Sequence, residues 1–203
     1  FAQSHGGTGW GGEILVCVQG SDAAIGLGSD AIRAQSVGLS GNGQIAICVA
    51  TNGAVLGGDG GAGIRIIDGM NNQVFNAGTI AAVGGVFGNA INSGAANETI
   101  DNAGTLWGNM DFADGHNVVL NRRGGTINAG PALWLGVGGV LTNGGSFSPG
   151  GGGVILQTRM TGDFVGLQTG SLMMDIQSPR SSDLLENIGG RIALDGTLEV
   201  FSL

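Results

Sequence analysis

A parallel β-solenoid, all-β and coiled, is the fold class this sequence predicts, and three observations predict it. A corner motif keeps returning, short apolar stretches are separated by Gly, Asn, Asp and Ser, and no window of eleven or more residues keeps a helical period. The motif reads N-A-G-T-I at 76–80, N-A-G-T-L at 102–106, G-G-T-I at 124–127 and N-G-G-S-F at 143–147. Aligned on Gly78, Gly104, Gly125 and Gly145, its steps are 26, 21 and 20 residues. Upstream the repeat is longer. E-I-L-V-C-V at 13–18 matches Q-I-A-I-C-V at 44–49, A-A-I-G-L-G at 23–28 matches G-A-V-L-G-G at 53–58, and G-S-D-A-I-R-A at 28–34 resembles G-G-A-G-I-R-I at 60–66, at offsets of 31, 30 and 32. A β-sandwich or barrel also uses many short strands, but has no reason to repeat sequence at fixed intervals.

Within each unit every residue type has a place. The glycine turns a corner where a Cβ would clash, and Asn76, Asn102 and Asn143 sit in the turn and bond local backbone. Thr79, Thr105, Thr126 and Ser146 then start a strand facing outward. Ile80, Leu106, Ile127 and Phe147 point inward and stack as an apolar ladder. About nine coils at ~4.8 Å predict a rod of ~40–45 Å.

Composition agrees with a folded chain of many tight turns. Of 203 residues 44 are glycine, yet only three are proline, and no G-X-Y period marks a collagen. An apolar fraction of 42% with 11% charged residues argues against disorder. Fifteen acids face seven arginines and no lysine, and the net charge of −8 argues against nucleic acid or an anionic membrane as partner. No apolar run approaches the ~18 residues of a transmembrane helix. Phe1 opens neither a signal peptide nor an initiator methionine, so the chain reads as a piece of a longer one.

Several residues invite a chemical reading. Cys17 and Cys48 fall at the same place in successive units, with three readings open: a ladder of small buried hydrophobes, a disulfide across ~5 Å between neighbouring coils, or a reactive or metal-binding pair. Asp111, Asp114 and His116 carry metal-ligand and proton-transfer chemistry, but D-F-A-D-G-H also makes a good polar corner with Gly115 at positive φ. G-G-D-G-G-A-G at 57–63 lacks the acid placement and tandem recurrence of a calcium nonapeptide. G-L-G-S-D-A at 26–31 is followed by no helix signal and is no dinucleotide fingerprint. Arg33 and Arg65 recur one unit apart, either as a cationic ladder for acidic glycans or as solvated arginines near Asp30 and Asp68. Arg122 and Arg123 lie between Trp107 and Trp134, which suits sugar stacking or a buried aromatic ladder. With only two histidines and scattered acids, no catalytic, cofactor-binding or metal residue is assigned and no enzyme is predicted.

The last forty residues change grain. Two regions are predicted: coils over 1–160 and a capping segment over 161–203, because a solenoid needs its last apolar rung covered. S-P-G-G at 148–151, G-D-F at 162–164, S-D-L at 182–184 and G-R-I-A-L-D-G-T-L at 190–198 resemble, in that order, the end of a monomeric (type V) bacterial autotransporter passenger. G-S-D-A-I-R-A-Q-S-V at 28–37 is similar to a glycine-rich repeat of such passengers. The resemblance implies a right-handed β-helix exported through the outer membrane to the cell surface. It also implies an autochaperone-like cap, a downstream outer-membrane β-barrel in the parent chain, adhesion to host or bacterial surface glycans or proteins, a monomer, and no cofactor. Cysteines are unusual in that family, so Cys17 and Cys48 depart from it. The alternative is a carbohydrate-active β-helix protein, either a polysaccharide lyase or hydrolase or a phage tailspike.

Overall fold

Ile45, Ile47 and Val49 are buried while Ala46 and Cys48 are not, the alternation of a strand with one face packed inward. That pattern recurs along the computed structural model, which describes residues 1–94 and 96–203. A lead strand β1 (Ala2–His5) precedes a first unit of β2 (Ile14–Val18), β3 (Ser21–Ala23) and β4 (Ile32–Val37). The second unit is β5 (Ile45–Val49), β6 (Ala54–Gly57) and β7 (Ala62–Asp68), and the third β8 (Asn72–Asn76), β9 (Thr79–Ala82) and β10 (Asn89–Ser93). Two units then use one long strand for two sides: β11 (Glu98–Asn102) with β12 (Thr105–Asp111), and β13 (Val118–Asn121) with β14 (Thr126–Trp134). Next come β15 (Val140–Asn143), β16 (Ser146–Pro149) and β17 (Gln157–Thr161). The last are β18 (Asp163–Gly166), β19 (Ser171–Ser178), β20 (Ser181–Ser182), β21 (Leu184–Ile188), β22 (Ile192–Ala193) and β23 (Thr197–Ser202). Among the described residues the helical content is one 3-10 turn, Gly85–Phe87.

Each strand pairs in parallel with its counterpart one unit away. The first strand of every unit joins an eight-stranded sheet, β2-β5-β8-β11-β13-β15-β18-β22. The remaining strands form a fifteen-stranded sheet with two branches that merge at β12 and β14. The antiparallel pair there, β19 with β20, is a short hairpin. Eight rungs stand in the first sheet where nine coils were expected, giving about 34 Å at the usual spacing. Corner excursions such as 24–31 and 150–156 consume the missing chain.

Inward residues stack by register. Val74, Ile100, Val119, Leu141 and Phe164 form one row on the first sheet. Ile80, Leu106, Ile127 and Phe147 form another, as expected, with Thr79, Thr105, Thr126 and Ser146 half-buried beside them. Ile64, Ile91, Met110, Leu133 and Met160 form a third. The rows meet in one core, where Phe147 and Phe164 pack edge to face at 5.1 Å.

The corners explain the returning motif. A Cβ at Gly104 would overlap the Gly78 carbonyl oxygen, and one at Gly145 the Gly125 carbonyl oxygen. Those same carbonyls accept from the next strand, Gly78 O from Thr105 N at 2.7 Å and Gly125 O from Ser146 N at 2.9 Å. The asparagines do more than bond their own turn. Asn76 donates to Asn102, Asn102 to Asn121 and Asn121 to Asn143, at 2.7, 2.8 and 2.7 Å, so four buried amides form a ladder along the corner.

The strands of 161–203 continue the parallel register of those before them. Leu198 extends the Ile80 to Phe147 row through Leu172, yet is 60% exposed, because β23 pairs with β19 alone.

Candidate functional site

On the last strand of successive units, outward residues line up one per rung. Register places Arg33, Arg65, Asn92, Asp111, Trp134 and Thr161 in a single column. Arg33 lies over the Phe1 ring at 6.0 Å. Arg65 donates to Asp30 at 2.8 Å and to Asn92 at 2.9 Å, and the Asp30 side chain is only 5% exposed. The two arginines do adjoin, but Asp30 neutralises one of them.

D-F-A-D-G-H forms the corner that follows this column. Asp111 accepts from the Ala113 amide at 3.1 Å, and Ala113 and Gly115 take φ of 50° and 111°. His116 is exposed, and its amide donates to Asn97. Among the described residues no three His, Cys, Asp or Glu side chains come together to hold a metal ion. G-G-D-G-G-A-G also lies at a corner, where the Asp59 carbonyl accepts from Gly28 at 2.7 Å.

Beside the column opens a groove of about 420 Å³. Trp134, Asp114, the 136–138 turn, Thr161, Asp163 and the 188–190 turn line it. Leu133 and Leu135 are fully buried, so strand alternation turns the intervening indole outward. Asp163 accepts from the Arg191 amide at 2.8 Å, and Thr161 accepts from Leu135 N at 3.0 Å. Neither Arg122 nor Arg123 lines this groove. Trp107 is 42% exposed on a different side, so the buried tryptophan ladder is corrected: the packed aromatic pair is Phe147 and Phe164. Arg122 instead grips both carboxylate oxygens of Asp101, and that contact raises its already high pKa.

The cysteines are joined. Cys17 and Cys48 are register partners with Cα atoms 4.6 Å apart, and a disulfide closes them on the outward face of the first sheet. The reading as a buried ladder of small hydrophobes is thereby corrected: Cys17 is exposed and Cys48 half-buried, since the inward places belong to Val16, Ile47 and their neighbours. Phe75 and the Asp101–Arg122 pair flank the disulfide in a groove of about 310 Å³.

Two buried acid sites were not anticipated. Asp175 and Asp183 join separate segments of the C-terminal region. Asp175 accepts from Gly153 N at 2.6 Å, while Asp183 accepts from Leu156 N and Asp175 N, both at 2.8 Å. Burial pushes the Asp183 carboxyl up, and those two amides pull it back only in part.

Glu98 is the second. It sits in a polar ladder at the entrance of the first sheet, accepting from Asn72 at 3.1 Å while its amide donates to Asn117 at 2.8 Å. Its other carboxylate oxygen and the Ser93 hydroxyl have no hydrogen-bond partner of good geometry among the described residues. Burial pushes its pKa from an ordinary 4.5 to about 7. The folded chain therefore holds a proton that the unfolded chain releases between those values, and stability present at pH 4.5 is lost as pH rises through 7. At ~1.36 kcal/mol per pKa unit the loss reaches about 3 kcal/mol. Glu98→Gln, which keeps the acceptor for Asn72, is expected to raise stability by up to that amount at pH 8 and to leave it unchanged near pH 4.5. Denaturant midpoints across this range check it; an equal effect at both ends would refute it.

No protein-family model matches the chain, and no curated protein or solved structure shows significant similarity to it.

Proposed function

We propose that the chain is a right-handed β-solenoid from the surface-exposed passenger of an autotransporter, a stalk with an adhesive role and no catalytic step. One observation carries this reading. The buried Asp175 and Asp183 tie the loop after the S-P-G-G corner to the S-D-L turn, two of the segments whose order resembles the end of such passengers. The hand is supported by the rule that crossovers between parallel strands of one sheet are right-handed in about 98% of cases. Stacked parallel rungs supply reach without a ligand pocket at every level. Residues 161–203 serve as the folding end from which coils propagate, so that folding outside the membrane drives passage. Surface glycans or proteins are the partners, and a barrel downstream in the parent chain is the anchor.

The test joins the chain to a secretion signal and an autotransporter barrel in a Gram-negative host. The expected result is protease-resistant display at the surface, falling several-fold when 161–203 is deleted. Retention in the periplasm, or display indifferent to the deletion, would overturn the proposal.

A further inference from the structure

We infer that the groove around Trp134 is a binding subsite for an uncharged pyranose sugar. Four features converge on it. Trp134 has no task in the core, because Leu133 and Leu135 fill the inward places on either side. Its indole is held by a central strand between β12 and β17, so an apolar plane is offered at little entropic cost. The residue lines a cavity of about 420 Å³, within the range of small-ligand sites. At the rim stand Asp114 and Asp163, acceptors suited to vicinal hydroxyls, with Asp163 fixed by the Arg191 amide.

Two further details set the class of sugar. Gly136 and Gly162 line the walls with backbone alone, at φ of 75° and 87° where side chains are disfavoured. Asp163 is paired with the Arg191 guanidinium at 3.9 Å, but among the described residues no cation pairs with Asp114, whose carboxylate disfavours uronic, sialic and sulfated sugars. Asp111, one rung before Trp134, adds to that repulsion. The adhesive role proposed above then has a location, and the inference rests on that reading only for its biological purpose. Binding is tested on the purified chain, so a negative result here leaves the export result standing.

Purified chain is applied to an array of neutral, amino and acidic oligosaccharides. Retention on neutral pyranose glycans is expected, at least tenfold weaker for Trp134→Ala and unchanged for Trp107→Ala. A Trp10→Phe, Trp107→Phe chain leaves Trp134 as the only one of three indoles. Titrating it with the best-retained glycan should give a saturable shift in emission without removing the proposed platform. Absence of binding to neutral glycans, preference for acidic ones, full binding by Trp134→Ala, or an unmoved emission would each overturn the inference.

Discussion

Gly104→Val is expected to cost about 2–6 kcal/mol, although glycine's φ freedom is not what it loses. Gly104 does not take positive φ, so the penalty is one of space. Its Cβ would overlap the Gly78 carbonyl oxygen and come too near the Ala77 carbonyl carbon, both of them backbone that no rotamer can move aside. The two corners must separate, and the bond from Thr105 N to Gly78 O stretches with them. Overpacking of this kind costs ~1–3 kcal/mol, and a buried bond lost on top adds ~1–3. Gly152→Ala is the control, since nothing lies within 4 Å of its Cβ position and its φ is not positive; it should fall within about 0.5 kcal/mol of the parent. Denaturant midpoints compare the two. Equal midpoints would mean that the corners do not set the distance between rungs.

That contrast shows what could be read from the letters alone. Gly78, Gly104, Gly125 and Gly145 recur at the interval of one turn of chain, so their corner role was legible, as was the inward row that begins two residues later. Gly152 has the same letter without the interval and no such role. Glu98 was legible too, but in a pattern that went unread: N-Q-V-F-N at 72–76, E-T-I-D-N at 98–102 and N-V-V-L-N at 117–121 put a polar residue at each end of a strand. Both ends are buried, and each becomes a ladder only because the strands stack in register. The Trp134 groove was the least legible part. Letters place Trp134 near Arg122, whereas strand alternation and the D-F-A-D-G-H corner place it beside Asp114 and Asp163 instead. The disulfide lay between these cases, because the shared offset of Cys17 and Cys48 gave proximity but not which side of the sheet they occupy.

Asn102→Leu should cost about as much, ~2–6 kcal/mol, for a different reason: the branch at Cγ is kept but its hydrogen-bonding atoms become methyls. Asn102 accepts from Asn76 and donates to Asn121 and to the Thr126 and Gly104 carbonyls, with every amide of the ladder at most 2% exposed. Leucine leaves the Asn121 oxygen without its ladder donor and the Thr126 carbonyl without its side-chain donor, at ~1–3 kcal/mol for each, while Gly104 O still accepts from Thr126 N. Asn143→Leu, at the end of the ladder, removes the bond to Ser171 and one acceptor for Asn121, whose amide still reaches Ser146 O; about half the cost is expected. The pair Asn76→Leu, Asn102→Leu gives the sharper reading. If the amides polarise one another along the corner, the double change costs less than the two single costs added, because the second removes a partner the first had already orphaned. Strict additivity would mean that each asparagine serves only its own turn. The rungs would then owe their common register to the glycine corners and the apolar rows alone.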